Sequence, residues 1–149
     1  MSTRILFVCL GNICRSPSAE AVTQAMAGKR GLLLELDSAG TGAWHSGEPP
    51  YGPMQKTARA RGYDLSTLRA RQVVSGDFSE FDLIVAMDAD NLSNLQNMRP
   101  AGATARLALF TDFAPESGAD HVPDPYYTRD FDGTLELIER CAAGLLDQL

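Results

Sequence analysis

Residues 8–17 read Val8-Cys9-Leu10-Gly11-Asn12-Ile13-Cys14-Arg15-Ser16-Pro17. Two cysteines and an arginine fall within seven consecutive positions. Ahead of them, Arg4-Ile5-Leu6-Phe7-Val8-Cys9 is a short run rich in strand formers. Such a run marks a strand buried on both faces of a parallel sheet. Behind them, Ser16 as N-cap and Pro17 at the first helical position predict a helix start. The stretch is therefore a turn from a buried strand into a helix. It could be a metal clip, a redox pair or a cradle for an anion.

Working outward, the first helix carries Ala19, Val22 and Met26 at spacings of three and four, and Gly28 and Gly31 end it. A second strand is expected over 32–38, followed by a loop that starts at Ala39-Gly40-Thr41-Gly42 and continues from Trp44 to Pro53. A helix follows over 53–62, a third strand over 82–87, a short helix over 90–97 and a fourth strand over 105–110. Residues 111–131 are rich in Pro, Asp and Gly and read as a long loop, a kind of segment that is usually functional or mobile. The last helix is expected from Gly133 to the end, with Leu135, Ile138, Ala142, Leu145 and Leu149 as its buried stripe. Strands alternating with helices predict an α/β fold. The reading is one three-layer domain over 1–149, a four-stranded parallel twisted sheet with helices on both faces. In such sheets the site lies beyond the carboxyl ends of the strands, and the opening stretch sits there.

The 149 residues are 44% hydrophobic and 21% charged, ordinary for a globular domain. No apolar run approaches the ~18 residues of a transmembrane helix, so membrane insertion is not expected. The five apolar residues Ile5–Cys9 are too few for a signal-peptide core, and a cytoplasmic protein is expected. The net charge of −6 argues against nucleic acid as the main partner. Positive charge for an anion must then be local. Three cysteines make no disulfide framework, and free thiols fit a reducing compartment. Cys9, Cys14, His45 and His121 match no usual zinc spacing, so no metal is expected.

The amides at a helix start are unpaired and bind anions, and successive amides in a tight turn form a concave nest. Gly11 and Asn12 tolerate the left-handed backbone that a nest requires. Arg15 adds a planar fork for two phosphate oxygens. Cys9 opens the cradle, and amides, dipole and guanidinium favour a thiolate there. A thiolate facing a bound phosphoryl group is a nucleophile in place. Ser16 can donate to the sulfur. Buried packing is the plainer alternative for Cys9 and Cys14, loop packing for Trp44, Tyr126 and Tyr127, and a simple turn for Asp124. Cys141 faces a helix stripe and is read as core.

The form Cys9, five residues, Arg15, Ser16 closely resembles the low-molecular-weight protein tyrosine phosphatases. Ala39-Gly40-Thr41, Ala70-Arg71-Gln72, Phe81-Asp82 and Met87-Asp88 with Asn91-Leu92 resemble further family stretches. Asp124-Pro125-Tyr126-Tyr127, about 115 residues after Cys9, matches the family's general-acid loop. The resemblance implies a flavodoxin-like, Rossmann-like fold and hydrolysis of phosphotyrosine through a cysteinyl-phosphate. By that resemblance Cys9, Arg15 and Asp124 are catalytic, with Asp124 as general acid and then base. Leu10, Gly11, Asn12, Ile13, Cys14 and Ser16 form the phosphate loop, and Trp44, Tyr126 and Tyr127 wall the slot. Ser38 is the implied partner of Asn12, and Cys14 can pair with Cys9 under oxidation. Ile13 suits an aromatic ring, whereas relatives acting on phosphoarginine tend to carry threonine there. The implied partners are a phosphotyrosine protein or a small aryl phosphate, with an opposing tyrosine kinase; no cofactor is implied. One departure is Leu68, where the family usually has a histidine linked to the asparagine and serine network. Two other readings share parts of the pattern. A thioredoxin-coupled arsenate reductase needs two more neighbouring cysteines, and a phosphoryl carrier does not need Asp124.

Overall fold

The computed structural model describes residues 2–149. Its sheet holds β1 (Thr3–Cys9), β2 (Leu34–Gly40), β3 (Leu83–Ala86) and β4 (Arg106–Leu109), all parallel, in the order β2-β1-β3-β4. The helices are α1 (Arg15–Lys29), α2 (Gly52–Ala60), α3 (Asp77–Glu80), α4 (Ala89–Met98), α5 (Pro125–Thr128) and α6 (Phe131–Asp147). The chain moves from β1 outward to β2 and then returns past β1 to β3. Strand order therefore reverses beside β1, and a crevice opens at the carboxyl ends of β1 and β3. Cys9 ends β1 at that crevice, and Asp88 lies two residues beyond β3.

Successive side chains of a strand point to opposite faces, and both faces of β1 are covered. Ile5, Phe7 and Cys9 pack with Val22 of α1, Met54 of α2 and Leu135 and Ile138 of α6. Leu6 and Val8 pack with Phe78 of α3 and Leu95 of α4. This double burial is why β1 reads as continuously apolar and not alternating. The expected four-stranded parallel sheet with helices on both faces is the observed one.

Several local expectations shift. β2 runs over 34–40 and not 32–38, because its last three residues are small and pair with Phe7, Val8 and Cys9, while Leu33 stays 83% exposed. α1 begins at Arg15 with Cys14 as N-cap and not Ser16, whose hydroxyl is engaged elsewhere. Residues 111–131 are not simply a loop: they hold two 3₁₀ turns, Phe110–Phe113 and Pro115–Ser117, and then α5. α6 starts at Phe131, where the Asp130 carboxylate accepts from the Gly133 amide at 2.9 Å, a side-chain N-cap. Leu149 lies past the end of α6 and is 50% exposed, so it leaves the buried stripe. The short α3 is an element that the sequence reading did not place.

Candidate active site

The loop between β1 and α1 is turned so that its carbonyls face the protein. The Cys9 and Leu10 carbonyls accept from the Thr41 and Gly42 amides, each at 2.9 Å. The Ile13 carbonyl accepts from the Tyr51 amide at 2.8 Å, and the Cys14 carbonyl from the Ser18 hydroxyl at 2.7 Å. With the carbonyls held outside, the amides face the middle. Among the described residues, the amides of Leu10, Gly11, Ile13 and Cys14 meet no protein acceptor. That is the cradle an anion requires. Asn12 carries the left-handed backbone, with φ of 57°. Gly11 does not, which corrects half of that expectation. Gly40 is needed for proximity: a Cβ there would lie 2.7 Å from the Leu10 carbonyl oxygen.

The Cys9 sulfur lies 3.3 Å from the Asn12 amide and 3.0 Å from the Ser16 hydroxyl. Proton inventory sets the direction of these bonds. The Arg71 amide donates to Asn12 Oδ1 at 3.0 Å, so the other end of the carboxamide is the NH₂ group, which donates to Ser16 Oγ at 2.7 Å. The Ser16 proton then has two acceptors in reach, the sulfur at 3.0 Å and the Ala39 carbonyl at 3.4 Å, and the sulfur is the nearer. A polar relay thus runs from the Arg71 backbone through Asn12 and Ser16 to Cys9. Asn12 and Ser16 are both buried and lie beneath the loop, not on the slot face. Their side chains hold the loop and the sulfur, the part that Ser16 was expected to play.

This relay also answers the Leu68 departure. With a leucine at 68, the donor that reaches Asn12 from this segment is the Arg71 backbone amide. The Arg71 guanidinium makes a two-pronged pair with the buried Asp77, at 3.0 and 3.1 Å, and also reaches Asp37. The segment it belongs to is stitched to the end of β2, with Gly40 donating to the Arg71 carbonyl and Val73 donating to the Gly40 carbonyl. Leu68 is half-buried against the core. Ser38 does not bond to Asn12 as expected; its hydroxyl donates to Glu20 at 2.7 Å. Burial raises the Glu20 carboxyl to about 7, with the Ser38 bond and Arg71 opposing and Asp37 adding to the rise.

Arg15 is 3% exposed. One nitrogen donates to Asp88 at 2.7 Å and to the Val122 carbonyl at 3.0 Å, and the other lies 3.5 Å from Asp124. Asp88 uses its second oxygen to cap α4, accepting from the Asn91 amide at 2.7 Å. Burial disfavours the Arg15 charge, but Cys9, Asp88 and Asp124 outweigh it and hold the guanidinium above its ordinary value. Asp124 caps α5, accepting from the Tyr126 amide at 3.1 Å. Cys14 is buried, and burial, followed by the charges of Cys9 and Asp124, pushes its thiol far up. Burial raises the Cys141 thiol to about 12 within the core.

Cys9, Leu10, Gly11, Ile13, Cys14, Arg15, Asp124, Trp44, Tyr126 and Tyr127 all line one cavity of about 380 Å³. That volume lies within the usual range for small-ligand pockets. Tyr126 packs edge-on against Tyr127 at 5.3 Å and leans on Tyr51 at 5.2 Å. The Trp44 indole lies over Gly42, where any side chain would collide with it. Among the described residues no group of three or more potential metal-ligating side chains gathers.

A family model described as low molecular weight phosphotyrosine protein phosphatase matches residues 4–149. The chain belongs to that family. A low molecular weight protein-tyrosine-phosphatase of Streptomyces coelicolor is 45% identical over 98% of this chain and 93% of its own. The Bacillus subtilis low molecular weight protein-tyrosine-phosphatase YfkJ is 43% identical over 95% of this chain and 92% of its own. The crystal structure of YfkJ superposes with a TM-score of 0.94, covering 99% of this chain and 94% of the other. A Drosophila arginine phosphatase shares the fold at 30% identity and a TM-score of 0.91, over 97% of this chain and 96% of its own.

Three parts of this phosphatase site were not assigned from the sequence. Asp88 was seen only as part of a matching stretch, although an aspartate ahead of a helix carries a capping signal. Arg71 acts through its amide, which no residue pattern reveals. His45 also lines the slot, its ring held by Glu48 at 2.6 Å.

Proposed function

We propose that this chain, one phosphatase domain over 1–149, hydrolyses phosphotyrosine on proteins and small aryl phosphates through a phosphocysteine on Cys9. The sulfur attacks phosphorus in line, and the bond from phosphorus to the phenolic oxygen breaks. The electron pair leaves on that oxygen, which takes the proton of Asp124. A water then attacks phosphorus, Asp124 takes its proton, and the phosphorus–sulfur bond breaks. The sulfur departs as a thiolate received by the Ser16 hydroxyl and the Asn12 amide. Arg15 and the loop amides hold the equatorial oxygens, since positioning and electrostatics dominate phosphoryl transfer. Proton transfer by a placed group contributes roughly 10²–10⁴-fold.

The observation that carries this reading is that Cys9, Arg15 and Asp124 line one cavity, although Asp124 lies far along the chain. Family membership supports the reaction class. The aromatic rim of Trp44, Tyr126 and Tyr127 and the apolar Ile13 suit a phosphotyrosine ring better than a phosphoguanidinium group. An opposing tyrosine kinase and a cytoplasmic setting fit this chemistry. Among the described residues no helix is long and apolar enough to cross a membrane.

The test is hydrolysis of p-nitrophenyl phosphate and of matched phosphotyrosine, phosphoserine and phosphoarginine substrates, with a chelator present. Turnover is expected for the aryl ester and phosphotyrosine, and not for phosphoserine. Full dependence on an added metal, or a preference for phosphoarginine, would contradict the proposal.

A further inference from the structure

Beside the phosphotyrosine slot lies a second groove of about 460 Å³. It shares Leu10, Arg15, Asp124 and Tyr127 with the slot and continues past them along the first turns of α4, where Asp88, Asp90, Asn91 and Asn94 line it. A residue flanking a phosphotyrosine would reach it, because an extended chain advances about 3.3 Å per residue.

Its chemistry is one-sided. The single cation in it, Arg15, has a side chain only 4% exposed and is turned to Asp88 and Asp124. Asp90 is exposed, and no salt bridge among the described residues takes up its charge. The remaining α4 lining is neutral and polar, from Asn91, Ser93 and Asn94. Asn91 is 98% buried, and its backbone amide donates to Asp88. The carboxylate of Asp90 is thus the one exposed charge of the groove without an ion-pair partner among the described residues, beside a neutral polar wall. Such a groove, continuous with the slot, suits a ligand group that carries positive charge.

We propose that this groove is a specificity subsite for a lysine or arginine within two residues of the substrate phosphotyrosine, with Asp90 as the specificity-determining residue. The proposal rests on the phosphotyrosine reading of the adjoining slot. Asp88 and Asp124 also face the groove, but both are held by Arg15, at 2.7 and 3.5 Å, whereas Asp90 has no such partner among the described residues. Asp90 therefore supplies the discriminating charge, and Asn91, Ser93 and Asn94 a neutral polar wall.

The experiment compares kcat/KM for p-nitrophenyl phosphate and three phosphotyrosine peptides. The peptides differ in carrying arginine, alanine or glutamate beside the phosphotyrosine. The enzymes are wild type, Asp90→Asn, Asp90→Lys and, as a net-charge control outside both cavities, Glu136→Lys. Wild type is expected to favour the arginine peptide over the alanine peptide by about fivefold, the upper range for an exposed charge pair. The preference should shrink as salt is raised. Asp90→Asn should remove most of it, Asp90→Lys should invert it toward the glutamate peptide, and Glu136→Lys should keep it. Turnover of p-nitrophenyl phosphate should be unchanged in every variant. Equal kcat/KM for all peptides with wild type would overturn the subsite while leaving the phosphatase reading intact. So would a preference that persists undiminished in Asp90→Lys. Failure of wild type on every substrate would overturn the underlying reading, and the subsite with it.

Discussion

Each of the two protein donors to the Cys9 sulfur is fixed by a different part of the chain. The Asn12 amide is aimed by the left-handed turn at Asn12, and the Ser16 hydroxyl by the carboxamide of the same residue. Asn12 is thus used twice, through its backbone and its side chain. A hydrogen bond to a charged group is worth about 1.5–3 kcal/mol. Ser16→Ala should therefore lower kcat on p-nitrophenyl phosphate by about 10- to 100-fold. Asn12→Ala removes the group that orients Ser16 and relaxes the turn, so its loss should be at least as large. Because both act through one relay, the double variant should be little worse than the poorer single one. Steady-state kinetics of the three variants check this. Losses that multiply would mean that the two side chains act independently.

At the scale of elements, the loop is held by what surrounds it. The end of β2, the Thr41–Gly42 amides and the Ala70–Val73 segment grip its outer side, and α1 begins where it ends. Gly40→Ala would put a methyl group 2.7 Å from the Leu10 carbonyl and 3.1 Å from that of Gly42. Backbone must then move, and the loop with it. We expect kcat to fall at least tenfold, the order of one donor lost to a charged group, with a lower urea midpoint. Wild-type kinetics in this variant would show that the close approach is not needed. The same elements explain what was legible beforehand. β1 announced itself because both its faces are buried, so every position is apolar. Cys9 and Arg15 were legible as residue types at a spacing that suits an anion cradle, and Asp124 through the family resemblance of its loop; the three line one cavity. Ser16 misled as an N-cap because its hydroxyl serves the sulfur instead. Ser38 misled because its true partner, Glu20, reaches it across the packing of α1 on β2. The support from Arg71 was illegible because it is delivered by a backbone amide, whose position only pairing along β2 determines. Leu33 drew the strand two residues too early because its apolar side chain is exposed.

The whole molecule carries a net charge of −6, yet it gathers its buried guanidinium and a ring of free amides at one strand end. Its stability should also report one half-buried acid. Glu20 shares a cavity wall with the uncharged Leu68, and its carboxyl is raised from the ordinary 4.5 to about 7. Between those values the folded protein keeps a proton that the unfolded chain has lost. Stability from this group is therefore full below about pH 4.5, falls as pH rises, and levels off above about 7. Glu20→Gln keeps an acceptor for Ser38 and has no proton to lose. Urea unfolding of wild type should weaken from pH 5 to pH 8 relative to this variant, and parallel profiles would contradict the assignment.

The fold also joins the two ends of the chain: Cys9 ends the first strand, and Asp124 caps a helix near the other end. The direct test of that partnership is to trap what passes between them. p-Nitrophenolate leaves without much help from an acid, whereas in the proposed mechanism hydrolysis of the phosphocysteine needs Asp124 as base. Asp124→Ala should therefore accumulate the intermediate. Acid quenching of this variant during turnover, followed by mass spectrometry of its peptides, should find a phosphoryl group on the peptide containing Cys9. Cys9→Ser should show neither the adduct nor turnover. Sustained hydrolysis by Cys9→Ser, or a phosphoryl group carried on any other residue of Asp124→Ala, would contradict the account.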